Sequence, residues 1–201
     1  MEINFMKKTI YAVQYGCGPI GCAVAKLALQ RPDIKLVGAV DIDKKKVGRD
    51  LGELIGLDRK LGMRITDDVE GLFAQRKVDV VFHQTSSSLK TVAPQLIRLL
   101  KRGANIVSTT EELAYPYPTH PKLAADIDKV ARANRVTVLG TGVNPGFLMD
   151  SWVLFMTAVC QEVKKVKAIR VQDASSRRLP FQKKIGAGCT PGEFKKLVHQ
   201  G

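Results

Sequence analysis

Three glycines and one acid carry the first chemistry that can be read from this chain. Gly16, Gly18 and Gly21 stand in the run Tyr15-Gly16-Cys17-Gly18-Pro19-Ile20-Gly21, and Asp41 follows 20 positions after the last of them. Without a Cβ, Gly16 can turn tightly, Gly18 can let a bulky anion approach the backbone, and Gly21 can let a helix lie close to a sheet. A helix starting there offers N–H groups and a partial positive charge to phosphate. A carboxylate at position 41 can accept hydrogen bonds from both hydroxyls of a ribose. The set predicts a dinucleotide site, with Gly16, Gly18, Pro19, Ile20 and Gly21 around the pyrophosphate and Asp41 on the adenosine ribose. The competing reading is a glycine-rich turn that binds nothing.

Such a site needs a strand before the glycines and a helix after them. Ile10 to Gln14 is a short β-rich run, and Ile20, Val24, Leu27 and Ala28 recur at helical spacing and are expected to form the inward face. Ile34 to Val40 is a second β-branched run that ends on Asp41. The cofactor would be NAD or NADP. Asp41 favours NAD, because a carboxylate repels a 2′-phosphate. Lys44, Lys45 and Lys46 follow closely and could neutralise one, or could be only a solvated helix start.

The remaining chain alternates in the same way. A helix is expected over Val47 to Ile55, stopped by Gly56, and a short strand over Met63 to Ile65. Thr66-Asp67-Asp68 should cap a helix through Phe73. Val78 to Phe82 reads as a strand buried on both faces, as parallel sheets require. It opens into His83-Gln84-Thr85-Ser86-Ser87-Ser88, where Thr85 and Ser86 are expected to border the cofactor's ribose and nicotinamide. One of the serines should also cap the next helix, Thr91 to Arg102, whose inward face is Val92, Leu96, Leu99 and Leu100. Strands are expected at Ala104 to Val107 and Val136 to Leu139, separated by a helix from His120 to Asn134. The glycine- and proline-bearing stretch from Gly140 to Asp150 should be irregular, with a helix after it to about Cys160. The fold class is therefore α/β: a Rossmann-type doubly wound parallel sheet over residues 1–150, followed by the start of a second domain over 151–201. In that second part Val166 to Val171 suggests a strand and Pro191 to Val198 a helix.

Composition narrows the partners. The formal charge of +13 would suit a polyanion. No recognition-helix pattern, aromatic-interleaved basic strand or long basic tail accompanies it, so nucleic acid is not the expected partner. No apolar run approaches the roughly 18 residues of a membrane span. The first residues lack the features of a secretory leader, and Met6-Lys7-Lys8 is a candidate start behind a short extension. Cys17, Cys22, Cys160 and Cys189 have no metal-ligand spacing and read as reduced thiols of a cytoplasmic protein. No metal is expected.

The runs YGCGPIG, VFHQTSSS, VSTTEELAYPYP, LGTGVNPGFLMD and DASSRRLPFQKKIGAG resemble the dihydrodipicolinate-reductase-like superfamily. Within it they look most like the 2,4-diaminopentanoate dehydrogenases and native amine dehydrogenases. The resemblance implies a Rossmann domain followed by an α/β substrate domain that also builds homodimers or higher oligomers. It implies oxidation of an amine carbon by NAD(P)+, then hydrolysis of the imine, and an amino-acid-like substrate such as 2,4-diaminopentanoate. Members are longer than this chain, which therefore reads as a fragment or a truncated product. The paired-histidine and lysine signature of dihydrodipicolinate reductase itself is not found in these residues. Reduction of a cyclic imine, and a nucleotide-binding module without catalysis, stand as the alternatives.

Amine oxidation asks for a carboxylate base, and Glu111 and Glu112 lie just past an expected strand end. One of them is the candidate base, with Glu111 the first choice, and the other an acidic first turn. Asn144 is expected on the nicotinamide carboxamide or the substrate. Arg177 and Arg178 could bind a substrate carboxylate bidentately, or could be a basic surface.

Overall fold

Short β-branched runs separated by amphipathic helices leave one economical arrangement, a parallel sheet with helices on both faces. The computed structural model describes residues 9–177 and 179–200. The strands are β1 (Ile10–Tyr15), β2 (Ile34–Val40), β3 (Ile65–Thr66), β4 (Val80–His83), β5 (Asn105–Ser108) and β6 (Val138–Gly140). They lie side by side in the order β3-β2-β1-β4-β5-β6, every neighbouring pair parallel. The order reverses between β1 and β4, which is where open sheets of this kind leave a crevice.

Between the strands run α1 (Pro19–Leu29), α2 (Leu51–Leu54), α3 (Val69–Gln75), α4 (Leu89–Lys101) and α5 (Pro121–Ala133). Alternation along β1 sends Val13 and Tyr15 into one apolar cluster and Ala12 into the other. The first cluster is filled by Leu96, Leu99 and Leu100 of α4 and Ile127 of α5, the second by Ala25 and Ala28 of α1 with Leu36, Leu51 and Ile65. The expected inward face of α4 is the observed one.

Three expectations are corrected. The buried face of α1 is Gly21, Ala25 and Ala28, whereas Ile20 and Leu27 are exposed. The helix approaches the sheet too closely for large side chains, and the whole face is rotated by about one residue. The helix expected from Val47 begins only at Leu51. Asp50 starts it, its carboxylate accepting from the N–H groups of Gly52 (2.8 Å), Leu61 (2.9 Å) and Met63 (3.0 Å). β4 packs on both faces as expected, with Val81 in the first cluster and Val80 and Phe82 partly buried against the second. Val166 to Val171 forms no strand. A strand exists only within a ladder, and the described residues of that region supply no partner.

The chain divides into two compact units, the first ending at Val159 and the second beginning at Cys160. The first closes with a wide turn, Val143–Ser151, and α6 (Trp152–Thr157). The turn is irregular as expected: Asn144 and Pro145 are extended and Gly146 takes φ +124°. The second unit contains α7 (Leu179–Lys184) and α8 (Pro191–Gln200). Among the described residues no helix is long and apolar enough to cross a membrane.

Candidate functional site

Register brings the loops together. Tyr15 pairs with His83, His83 with Ser108, and Ser108 with Gly140, so four strands end in one row. Each following loop starts by bonding to the neighbouring strand's last residue. Gly16 N–H donates to Val40 O (2.8 Å), Gln84 N–H to Tyr15 O (2.8 Å), Thr109 N–H to His83 O (3.1 Å) and Thr141 N–H to Ser108 O (2.8 Å). The carboxyl edge of the sheet thus carries the glycine turn, Asp41, the 84–88 loop, the glutamate turn and the stretch leading to Asn144.

The glycine turn is tightly specified at two of its three glycines. Gly16 has φ +91°, and a Cβ there would strike Gln84 O and lie 3.1 Å from Thr85 Cγ2. At Gly21 a Cβ would strike Gly16 O and come within 2.7 Å of Gln14 Nε2. Gly18 differs: its backbone is ordinary (φ −75°, ψ −178°), and a Cβ would meet nothing within 4 Å. No fold contact therefore asks for glycine at 18, and the open space in front of it is where an incoming group would sit. Gly18 is also the first residue of α1's start, which has no side-chain cap and no acid in its first turn, with Pro19 and Ile20 exposed. The turn fits a pyrophosphate on these grounds.

Asp41 lies behind the turn. Its Oδ2 accepts from Cys17 N–H (2.8 Å) and Lys46 Nζ (3.0 Å), and its Oδ1 from Asp43 N–H (2.9 Å). Burial opposes its charge, but the bonds from Asp43, Cys17 and Lys46 outweigh that and hold the carboxyl below the ordinary range. Burial first, and Asp41 second, push the Cys17 thiol up to about 12, so it stays protonated and is no nucleophile.

Beside the turn, polar groups join β1, β4 and β5. Gln14, fully buried, donates from Nε2 to Gly16 O (2.9 Å) and Gln84 Oε1 (2.6 Å). His83 Nδ1 lies 3.0 Å from Ser108 Oγ, and its Nε2 lies 2.9 Å from Gln95 Oε1 and 3.2 Å from Thr85 Oγ1. The Thr110 hydroxyl donates to Ser86 O (2.9 Å). Thr85 is exposed and Ser86 half-buried, and both are held by this network. Spacing alone does not single out Gln14, Gln95, Ser108 or Thr110. A glutamine in an otherwise apolar strand was the signal for the first of these.

Burial holds the His83 imidazole below its ordinary pKa, although its bond to Gln95 works the other way. A depressed histidine contributes stability that is fully present above the unfolded value of about 6.5 and is lost as pH falls toward the folded value. Unfolding free energy is therefore expected to fall below pH 6.5 by up to about 1.4 kcal/mol per pH unit from this group. Denaturant melts between pH 7.5 and 5.5 should show a shallower slope for His83→Asn than for the wild type (both pH values being about those that bracket the histidine range). Equal slopes would contradict the assignment.

The two glutamates separate clearly. They open the 3₁₀ turn Glu111–Leu113, and both are exposed. Glu112 Oε2 accepts from Leu89 N–H at 2.7 Å and lies 3.0 Å from His120 Nε2. The Leu89 bond above all lowers its pKa, with His120 and the Ser88 hydroxyl adding to it. Glu112 thus caps α4. Ser88 occupies the N-cap position without capping through its own side chain, which corrects the expectation of a serine cap. Glu111 stands on the preceding residue of the same turn. Asn144 is exposed in the wide turn. In the second unit the Arg177 guanidinium lies over the Phe181 ring, 4.9 Å from its centroid. Arg178 lies outside the described residues.

The parallel order with its reversal at β1 and β4, the glycine turn on that reversal and the acid ending β2 define a Rossmann-type domain. Residues 12–114 match the family model described as dihydrodipicolinate reductase, N-terminus, and residues 147–201 match the 2,4-diaminopentanoate dehydrogenase C-terminal domain. The chain belongs to the dihydrodipicolinate-reductase-like family, on its diaminopentanoate and amine dehydrogenase branch. It is 33% identical over 189 residues to the 2,4-diaminopentanoate dehydrogenase of Acetoanaerobium sticklandii, covering 92% of this chain and 53% of that protein. Against an amine dehydrogenase of Streptomyces virginiae the figures are 27% over 176 residues, 85% and 48%. The solved amine dehydrogenase from Mycobacterium smegmatis superposes with a TM-score of 0.69 at 35% identity, covering 74% of this chain and 44% of that one. The chain spans about half the length of the curated relatives it matches.

Proposed function

We propose that the chain is the cofactor-binding part of an NAD(P)-dependent amine dehydrogenase, with 2,4-diaminopentanoate as substrate and 2-amino-4-oxopentanoate and ammonia as products. The observation that carries this reading is the shared carboxyl edge: an uncapped helix start behind an open Gly18, and a glutamate turn two strands away. The names of the relatives support the amine as substrate class.

Gly18 and the start of α1 would hold the pyrophosphate, and Asp41 the adenosine ribose. Thr85 and Ser86, fixed by the His83 network, would border the second ribose and the nicotinamide, and Asn144 would bind the carboxamide. Arg177, with Arg178, would bind the substrate carboxylate. When bound, the nicotinamide supplies the acceptor for the hydride leaving the amine carbon. Glu111 would take the proton that makes the amine neutral and release it to solvent, and the carboxylate so restored would face the positive charge growing on nitrogen and then take a proton from the attacking water. Glu112 would keep its place at the start of α4.

The reading is tested by fluorescence titration with NADH and NADPH, followed by NAD(P)+ and 2,4-diaminopentanoate on the same samples. Binding, with reduced nucleotide formed only when the amine is present, is the expected result. Absence of binding to either nucleotide would overturn the reading at its base. Binding with turnover of dihydrodipicolinate instead would move it to the cyclic-imine reductases.

A further inference from the structure

Of the three lysines after β2, only one turns back into the site. Lys44 is exposed and bonded to Asp67 (2.6 Å), whereas Lys46 is largely shielded and lies 3.0 Å from Asp41 and 3.5 Å from Asp43. The backbone enforces this. Lys46 N–H and Val47 N–H both donate to Asp43 O, and Gly48, at φ +86°, returns the chain to Ile65 O. The ammonium therefore sits against the carboxylate that would receive the adenosine ribose.

A carboxylate has about four acceptor positions. Three on Asp41 are filled, two of them by the backbone N–H groups of Cys17 and Asp43, which cannot leave without undoing the turn. The third is held by Lys46, on a flexible four-carbon stem. For Asp41 to accept from both ribose hydroxyls, Lys46 must yield its position while Asp43 still retains it nearby. A displaced ammonium at this point cancels the repulsion that Asp41 would exert on a 2′-phosphate, and offers that phosphate a charge-assisted bond.

Resting on the dinucleotide reading above, we infer that Lys46 is the specificity-determining residue that admits a 2′-phosphate beside Asp41, so that the chain takes NADP(H) as well as NAD(H). Lys46 yields to the ribose hydroxyls of NAD(H) and bonds to the added phosphate of NADP(H).

The test is equilibrium binding of NADH and NADPH to the 201-residue chain, read by nucleotide fluorescence. Lys46→Gln is expected to weaken NADPH by about tenfold or more, and NADH by less than about threefold. Lys46→Arg should retain NADPH, and Lys44→Gln should change both by less than about threefold, since its partner Asp67 is a solvent-screened one. In the wild type, rising salt should weaken NADPH more steeply than NADH, a difference that needs no variant to observe. Equal losses of both nucleotides in Lys46→Gln, or equal salt slopes in the wild type, would overturn the inference. A wild type that binds NADH but not NADPH overturns it while leaving the dinucleotide reading intact. Failure to bind either nucleotide removes both.

Discussion

Glu111→Gln is expected to lower kcat for amine oxidation by about 10²- to 10⁴-fold, the range lost when a positioned general base is removed. NADH affinity should stay within about threefold, because the change is isosteric and touches neither the glycine turn nor Asp41. The contrast with its neighbour makes the prediction sharp. Glu112 caps α4 through Leu89 N–H and meets His120. Glu112→Ala should therefore act on stability, by about 0.5–2 kcal/mol for a lost helix cap, with the lower half of that range favoured by its exposure. Its effect on kcat should stay below about tenfold once the protein is folded. Steady-state rates with 2,4-diaminopentanoate, NADH titration and thermal melts on both variants separate these outcomes. Undiminished kcat in Glu111→Gln would remove the carboxylate from the mechanism. A large kcat loss in Glu112→Ala with unchanged melting would transfer the role to the other glutamate.

The difference between adjacent glutamates could not be read from the sequence, and the reason is specific. What commits Glu112 is the N–H of Leu89, 23 positions upstream, and a bond of that span depends on how β4 and β5 pair. The glycines were legible because their requirement is local: a positive φ at Gly16, and a helix–turn contact within five residues at Gly21. The face of α1 was misjudged for a related reason. Ile20, Val24, Leu27 and Ala28 fit helical spacing as well as Gly21, Ala25 and Ala28 do, and the two sets differ by one residue of rotation. Gly21 against Gly16 O decides between them, because it brings the small residues inward and leaves Ile20 and Leu27 exposed. In α4 no such close approach competes, and the large apolar residues face the core as their spacing predicts. Val166 to Val171 shows the limit from the other side. A β-branched run states a preference, and it becomes a strand only where a partner supplies the ladder, which the described residues of that region do not.

The three glycines of the turn should respond differently to the same added methyl group. Gly18→Ala is expected to fold with a stability change within about 1 kcal/mol, the scale of an altered helix N-cap, because its φ of −75° suits alanine and nothing lies within 4 Å of the new Cβ. Its affinity for NADH should nevertheless fall by about a hundredfold, which corresponds to about 2.7 kcal/mol. That is the scale of forcing a methyl group into a filled contact, and here the contact is filled only when the pyrophosphate is present. Gly21→Ala places its Cβ on Gly16 O and beside Gln14 Nε2, so it should destabilise the fold by about 1–3 kcal/mol and lose binding as a consequence. Gly16→Ala adds the strain of φ +91° to a collision with Gln84 O and should be the worst tolerated of the three. Thermal melts paired with NADH titrations distinguish a methyl group that blocks a ligand from one that breaks a turn. If Gly18→Ala bound NADH as the wild type does, the open space in front of Gly18 would not be the pyrophosphate site, and the nucleotide would have to be placed elsewhere on the sheet edge.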